Sequence, residues 1–115
     1  MRRGEIRLVD FAPTVGSAAD KRRPAVIVSN AGANTAAEQL QRGVVTVVPV
    51  TSNVTKVFPF QVLLPAADTG LQLDSKAQAE QVRAVDATRV GPHVGELTTP
   101  LIAALDEALR LHLAL

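Results

Sequence analysis

The amino-acid sequence predicts a small α+β protein, in which an antiparallel β-sheet curls and closes on itself while helices pack on its outside. Two observations lead to this fold class. Short segments rich in β-branched residues recur along most of the chain, and almost no connection between them has room for the helix that a parallel crossover requires. The C-terminal segment has the apolar spacing of an amphipathic helix.

Three segments in the first half of the chain predict strands. Residues 5–11 alternate loosely between apolar and polar side chains. Residues 25–28 and 44–50 are nearly continuous apolar runs, which are typical of strands buried on both faces. Pro49 is expected to end regular pairing in the last of these strands, because proline has no N–H to donate to a ladder.

The remaining segments are less regular. Proline, glycine and small polar residues separate short apolar runs, which predicts loops and turns between them. In chain order, the sequence predicts a loop over residues 12–21, a loop with a short helix over 31–42, a strand over 57–64, a turn over 65–70, a fifth strand around Val82 and Val85, and a turn around His93.

The C-terminal helix has the clearest pattern. Thr99 is a suitable cap, Pro100 suits the first helical position, and residues 101–115 follow. Leucines recur every four residues with other apolar residues beside them, so the apolar face is wider than the usual stripe of about 100°. Two explanations remain open: the face packs against a second copy in a homodimer, or the helix is buried more deeply than average.

Length and composition limit the possible classes of function. The 115 residues fit a single domain, and the absence of cysteine excludes a disulfide scaffold, a zinc–thiolate site and a cysteine nucleophile. No apolar run reaches the roughly 18–20 residues of a membrane-spanning helix, and no apolar segment directly follows the N-terminal residues as in a signal peptide. We therefore expect a cytoplasmic protein that does not contact a membrane.

Positive charge is concentrated at the N-terminus. The net charge is only +1, but residues 1–23 contain six basic and three acidic side chains, a local charge of +3. The remaining 92 residues contain six basic and eight acidic side chains, a charge of −2. The N-terminal segment is therefore either a basic patch that binds an anionic partner or a solvated surface.

Most standard sites are missing from the sequence. His93 and His112 have no carboxylates at metal-ligand spacing, and the chain has neither a glycine-rich phosphate loop nor a nucleophile elbow. The basic segment ending in Arg23 remains. Arginine presents a planar fork of donors that matches phosphate oxygens, and Pro24 restricts Arg23 to extended backbone at the start of a strand. A structural salt bridge is the alternative role for Arg23.

Several linked blocks of sequence resemble the MazF/PemK/Kid toxin family in their order and spacing. The blocks are Arg3-Gly4-Glu5-Ile6, Val9-Asp10-Phe11 with Pro13, Gly16-Ser17, Arg23-Pro24-Ala25-Val26-Ile27-Val28-Ser29-Asn30, Val48-Pro49-Val50-Thr51-Ser52, Pro59-Phe60, Gln81-Val82-Arg83-Ala84-Val85-Asp86, Gly95-Glu96-Leu97 and Leu105-Asp106-Glu107-Ala108-Leu109. The likeness extends over almost the whole chain, which is consistent with a single domain over residues 1–115.

The resemblance implies a homodimer of CcdB-like curled β-barrels, each with a C-terminal helix. It also implies the toxin of a toxin–antitoxin system, which inhibits translation and growth as a sequence-specific, ribosome-independent endoribonuclease of single-stranded messenger RNA. The resemblance further implies that no metal or cofactor takes part. A MazE-like antitoxin is the implied partner, with a disordered acidic tail that occupies the basic groove of the dimer.

The family reaction is attack of a 2′-hydroxyl on the adjacent phosphorus, which leaves a 2′,3′-cyclic phosphate and a 5′-hydroxyl. By motif position, Arg23 and Thr51 match the catalytic arginine and threonine, both acting on the phosphate. Many relatives have a glutamate where this chain has Ala18, so the proton acceptor is either Glu80 or Asp20, and we prefer Glu80. The residues expected to bind RNA are Lys21, Arg22, Ser52, Asn53 and Gln81.

Bases are expected to be recognised mainly by hydrogen bonds from loops. The chain has three phenylalanines and neither tyrosine nor tryptophan, so platforms for base stacking are scarce. Phe58 and Phe60 flank Pro59, and phenylalanines in such a segment are more often part of the core.

Two other functions fit the same fold. One is a non-enzymatic poison that binds a protein, as in the CcdB branch. The other is a relative that does not cleave RNA and binds DNA together with its antitoxin, because the loop glutamate is missing. The presence of Arg23-Pro24 together with Thr51-Ser52 favours the nuclease.

Overall fold

A computed structural model of the protein describes residues 1–13 and 22–115. Within these residues the chain forms seven strands, three α-helices and two short 3-10 helices. The strands are β1 (Glu5–Asp10), β2 (Arg22–Ile27), β3 (Val44–Thr51), β4 (Gln61–Leu64), β5 (Ser75–Gln78), β6 (Arg83–Asp86) and β7 (Val90–Glu96). The α-helices are α1 (Ala31–Leu40), α2 (Ala66–Thr69) and α3 (Thr99–Leu113), and the 3-10 helices are Ala79–Gln81 and Ala87–Arg89.

All paired strands run antiparallel, as predicted, in the order β4-β5-β3-β2-β1-β7. The central strand β3 pairs with β2 along one edge. Along its other edge it pairs first with β6 and then with β5. The predicted class, an antiparallel sheet with a C-terminal helix, is confirmed.

The sheet does not close into a hydrogen-bonded barrel within the described residues. The strands at the two ends of this order, β4 and β7, each pair on one side only, and β6 pairs only with β3. The end of α2 instead packs directly on β7: a Cβ atom placed on Gly95 would lie 2.5 Å from the carbonyl oxygen of Thr69. A helix–strand contact between backbones therefore takes the place of the last strand pairing.

The contact at Gly95 predicts a large effect of adding one methyl group. In the variant Gly95→Ala, the new Cβ meets a backbone oxygen that cannot rotate away, so β7 and α2 must separate. We expect a loss of about 1–3 kcal/mol in the free energy of unfolding, as for other overpacked interiors. Urea unfolding measures this quantity, and a value equal to that of the unsubstituted protein would show that the two segments do not touch.

The sheet is covered on both faces, because alternate side chains of each strand point to opposite sides. One core lies between the sheet and α3, and the other lies under α1. This arrangement confirms that the apolar runs of β2 and β3 are buried on both faces. The first core includes Ile6, Val26, Val48, Val50, Leu64, Leu105 and Ala108, and the second includes Val9, Ala25, Ile27, Ala37, Val45, Val47 and Val85.

Pro49 does not end its strand, contrary to the prediction. β3 continues to Thr51, and Pro49 lies opposite Ala25 of β2. On the other edge of β3, pairing with β6 ends at Val47 and pairing with β5 begins at Val50. Pro49 therefore lies where this ladder is already interrupted, and its missing N–H costs no bond on that edge.

Several other boundaries differ from the prediction. β7 occupies the segment predicted as a turn around His93, since irregular pairing at a sheet edge tolerates its glycines and proline. β5 was not predicted, β4 begins only at Gln61, and a short helix, α2, occupies the predicted turn over residues 65–70. The predicted short helix within residues 31–42 and the strand around Val82 and Val85 are confirmed as α1 and β6.

Helix α3 is capped one residue earlier than predicted. The hydroxyl of Thr98 accepts from the amide of Leu101, so Thr99 is the first helical residue and Pro100 the second. The apolar face of α3 is divided along its length. Its first part packs into the core through Leu105 and its neighbours, whereas Leu111, Leu113 and Leu115 at its end are exposed. No helix of the described residues is long and apolar enough to span a bilayer.

Candidate active site

A cavity of about 620 Å³ opens where the beginning of β2 meets the end of β3. One wall comes from the sheet, and the opposite wall comes from the segment between α2 and β5. Arg23 and Thr51 both line this cavity. The other lining residues are Leu8, Pro24, Val50, Ser52, Gly70, Leu71, Gln72, Leu73, Ser75 and Val94.

Arg23 has no counter-ion among the residues that the structure describes. It lies at the start of β2, opposite Val9 of β1, with Pro24 directly after it. Within the described part of the cavity wall it is the only charged residue. Among the described residues, therefore, no carboxylate forms the salt bridge that was the alternative role for Arg23, and the described part of the cavity carries a positive charge that attracts anions.

The N-terminal basic residues divide into two groups. Three arginines form ion pairs with carboxylates of the fold. Arg2 pairs with Glu5 and Glu96, Arg3 pairs with Asp106, and Arg7 pairs with Glu5. Arg22 and Arg23 pair with no carboxylate of the described residues. Burial would raise the pKa of Glu5, but hydrogen bonds from Arg7 and Arg2 outweigh this effect and hold the pKa below its ordinary value. The basic character of the segment is thus partly structural.

Thr51 is the last residue of β3, and its hydroxyl is oriented by the following turn. The backbone N–H of Asn53 donates to Thr51 Oγ1 over 3.3 Å. Because the oxygen acts as the acceptor in this bond, the hydroxyl proton is available for a second bond. The side chain of Asn53 closes the same turn by accepting from the amide of Thr55. Ser52 also lines the cavity.

Glu80 lies in the 3-10 helix after β5 and does not line this cavity. Its Oε2 accepts from Gln61 Nε2 over 2.8 Å, and Gln61 Oε1 accepts in turn from the amide of Phe58 over 3.1 Å. The other carboxylate oxygen, Oε1, is buried and has no hydrogen-bond partner among the described residues. Gln81 is exposed beside Glu80 and is also outside the cavity lining.

The structure thus brings together some of the residues predicted to act on RNA and not others. Arg23, Thr51 and Ser52 share the cavity, and Asn53 supports Thr51 from the adjoining turn. Arg22 is exposed on β2 next to Arg23 but does not line the cavity. The predictions for Lys21 and Asp20 concern positions outside the described residues.

Sequence reasoning missed the wall formed by Gly70, Leu71, Gln72, Leu73 and Ser75. The sequence predicted a turn up to Gly70 and assigned no role to the residues that follow. It reaches the cavity because the end of α2 packs on β7, a contact that no local sequence pattern encodes.

The two histidines do not assemble with other ligands. His93 Nε2 lies 3.2 Å from Glu96 Oε1 on the exposed edge strand, and His112 is exposed on α3. Within residues 1–13 and 22–115, no group of three or more histidine or acidic side chains is close enough to hold a metal ion.

Known proteins resemble this chain in both sequence and fold. Over its whole length the chain is 58% identical to Endoribonuclease MazF9 of Mycobacterium tuberculosis strain H37Rv, covering 98% of that protein. MazF of Deinococcus radiodurans has the same fold, with a TM-score of 0.76 at 27% identity, covering 100% of this chain and 97% of that one. A MazE–MazF complex from the same organism gives a TM-score of 0.74 at 26% identity, covering 100% and 96%.

A family model supports the same assignment. The model for the PemK-like, MazF-like toxin of type II toxin–antitoxin systems matches residues 2–113, which is nearly the entire chain. The protein therefore belongs to the PemK-like, MazF-like toxin family of type II toxin–antitoxin systems.

Proposed function

We propose that this protein is a sequence-specific endoribonuclease that cleaves single-stranded messenger RNA without the ribosome and without a metal ion. As the toxin of a toxin–antitoxin system, it would inhibit translation and growth. The observation that carries this proposal is that an arginine free of described counter-ions shares one cavity with an oriented threonine hydroxyl. The relatives named as endoribonucleases support the same reaction class.

The proposed reaction is an internal transfer at one phosphodiester. The 2′-hydroxyl gives its proton to the acceptor as its oxygen attacks the adjacent phosphorus. The bond to the 5′-oxygen breaks, and this oxygen takes up a proton from the acceptor or from water, so a 2′,3′-cyclic phosphate and a 5′-hydroxyl result. Negative charge on the non-bridging oxygens grows in the transition state, and the guanidinium fork of Arg23 binds them there. Thr51 donates its free hydroxyl proton to the same phosphate, held in place by the Asn53 amide. Ser52 is a second donor beside it.

Four further residues, Arg22, Asn53, Gln81 and Lys21, are proposed to contact the RNA. Arg22 is exposed next to Arg23, where a cation attracts neighbouring phosphates. Asn53 and Gln81 present exposed amide side chains, which suit hydrogen bonds to bases. We propose the same role in phosphate binding for Lys21.

The proton acceptor has two candidates, Glu80 and Asp20, and one variant separates them. In Glu80→Gln, the new amide oxygen still accepts from Gln61, so the local structure is kept. Because Glu80 does not line the cavity, we expect single-turnover cleavage to fall by less than about tenfold, whereas loss of a general base costs about 10²–10⁴-fold. A loss in the larger range, with a changed pH–rate profile, would identify Glu80 as the proton acceptor.

We further propose two protein partners. The exposed leucines at the end of α3 support a homodimer. The complex of the Deinococcus radiodurans relative with MazE supports binding of a MazE-like antitoxin. We also propose a cytoplasmic location, because the proposed substrate is messenger RNA.

Incubation of the purified protein with a long single-stranded RNA in EDTA tests the proposed function. We expect discrete cuts at a short sequence, with 2′,3′-cyclic phosphate and 5′-hydroxyl ends. Absence of cleavage across a varied RNA pool would contradict the proposal. Growth arrest without RNA cleavage would then favour a CcdB-like protein-binding poison, and DNA binding only together with an antitoxin would favour the relative that does not cleave RNA.

A further inference from the structure

A lysine is buried beside the candidate active site. Lys76, on β5, is only 8% exposed, and it lies directly opposite Thr51 of β3. None of the ion pairs between described residues includes Lys76. Lysine is rarely buried to this extent without a partner, because removing an ammonium group from water is costly. Within the described residues a backbone oxygen is that partner: Lys76 Nζ donates to the carbonyl oxygen of Lys56 over 2.6 Å.

The carbonyl group that Lys76 binds belongs to the connection between β3 and β4, residues 52–60. This connection contains no regular helix or strand, and most of its residues are exposed. Even Phe58 is 38% exposed, so the expectation that it belongs to the core is wrong. Burial of apolar side chains therefore does little to fix the connection, and its position depends on hydrogen bonds.

Side chains supply several of these hydrogen bonds at the beginning of the connection. The amide of Asn53 donates to Thr51 Oγ1, and Asn53 Oδ1 accepts from the amide of Thr55. Lys76 binds the next residue, Lys56. Its bond is the only one of the three with a charged donor, and such bonds are stronger than those between neutral groups. The anchor at Lys56 thus directly follows the turn that orients the Thr51 hydroxyl.

Lys76 lies behind the cavity wall and not in it. Directly opposite residues of an antiparallel pair point to the same face of the sheet, so the side chains of Lys76 and Thr51 are neighbours. Thr51 and Ser75 both line the cavity, whereas Lys76 does not. Lys76 is therefore placed to influence cleavage through the residues that it holds.

We propose that Lys76 is a positioning residue of the nuclease. Its buried ammonium group fixes the connection at Lys56, and the fixed connection keeps the Asn53 amide where it orients the Thr51 hydroxyl toward the phosphate. Displacing a catalytic group by about 1 Å can cost about 10²-fold in rate, so an anchor one step away from the hydroxyl has a large effect. This inference rests on the proposed nuclease function.

The variant Lys76→Met tests this role. Methionine has a similar unbranched shape but neither charge nor donor, and replacing a buried charge with an apolar side chain of similar volume is often neutral or stabilising. We therefore expect single-turnover cleavage at saturating RNA to fall by about 10–100-fold, while the affinity for RNA and the free energy of unfolding do not fall. Lys76→Arg, which keeps a charged donor, should recover part of the rate.

A double-mutant cycle shows whether Lys76 acts through Thr51. Because Thr51→Val has no hydroxyl to orient, adding Lys76→Met to it should slow cleavage little further. The same loss in both backgrounds would overturn the proposal, and so would an unchanged rate in Lys76→Met or a loss of rate that accompanies a loss of stability. If Lys76→Met does not fold, Lys76→Gln, which keeps a donor without the charge, takes its place in the cycle.

The control variant is Lys56→Met, which removes the same charge from an exposed lysine and leaves the carbonyl oxygen that Lys76 binds. It should cleave saturating RNA at the rate of the unsubstituted protein. Equal losses in Lys56→Met and Lys76→Met would assign the effect to positive charge in general and overturn the proposal. If Lys76 has no such role, the unsubstituted protein still cleaves RNA. If the unsubstituted protein does not cleave RNA, the proposed function itself fails.

Discussion

Replacing Arg23 with alanine is expected to slow RNA cleavage by about a hundredfold or more, because one donor to a charged transition state supplies roughly 3–4 kcal/mol. The side chain is exposed and has no counter-ion among the described residues, so its removal breaks no ion pair between them. Single-turnover cleavage at saturating RNA measures the effect. Arg23→Lys keeps the charge but not the planar fork, and should recover only part of the rate.

The neighbouring residue provides the control for Arg23. Arg22 carries the same charge one position earlier but does not line the cavity. Arg22→Ala should therefore lower the affinity for RNA and make that affinity less sensitive to salt, while the cleavage rate at saturating RNA changes little. If Arg23→Ala cleaves at the rate of the unsubstituted protein, or if both variants behave alike, Arg23 has no specific role in the transition state.

The variant Thr51→Val is expected to cleave RNA about a hundredfold more slowly than the unsubstituted protein, an effect similar to that of Arg23→Ala. Valine nearly matches threonine in shape, so the change removes the hydroxyl that would donate to the phosphate. It also removes the acceptor for the Asn53 amide, but that residue is exposed, so we expect water to replace the lost acceptor. A chemical-quench measurement of the cleavage step reports the loss directly.

Thr51→Ser keeps the hydroxyl and is the matched control, with cleavage expected close to that of the unsubstituted protein. The opposite pattern, full activity in Thr51→Val and loss in Thr51→Ser, would assign the role of Thr51 to packing of its methyl group. Equal unfolding free energies of the two variants are the accompanying check on the fold.

Local sequence patterns correctly predicted those elements whose own residues have the spacing of a strand or a helix. The apolar runs of β2 and β3 and the leucine spacing of α3 have one plausible structure each, and all three are found. β7 was missed because its glycines and proline are typical of turns, and only pairing with β1 makes it a strand. The open sheet likewise depends on the contact between Gly95 and Thr69, which are distant in sequence.

In the candidate site, too, local motifs were predictable from the sequence and contacts between distant residues were not. Arg23 and Thr51 were predicted from motifs at strand ends, and the cavity contains both. Charge composition gave the N-terminal segment a single basic character, although Arg2, Arg3 and Arg7 bind carboxylates of the fold. The partner of Glu80 is Gln61, nineteen residues earlier, and no spacing rule connects the two.

The role of Arg23 and Thr51 is tested most directly by the structure of the protein bound to an RNA whose cleaved position carries a 2′-deoxy sugar. We expect one phosphate to lie within hydrogen-bond distance of both the Arg23 guanidinium and the Thr51 hydroxyl, inside the cavity formed by the beginning of β2 and the end of β3. A scissile phosphate that contacts neither side chain, or RNA bound on another face of the sheet, would contradict it.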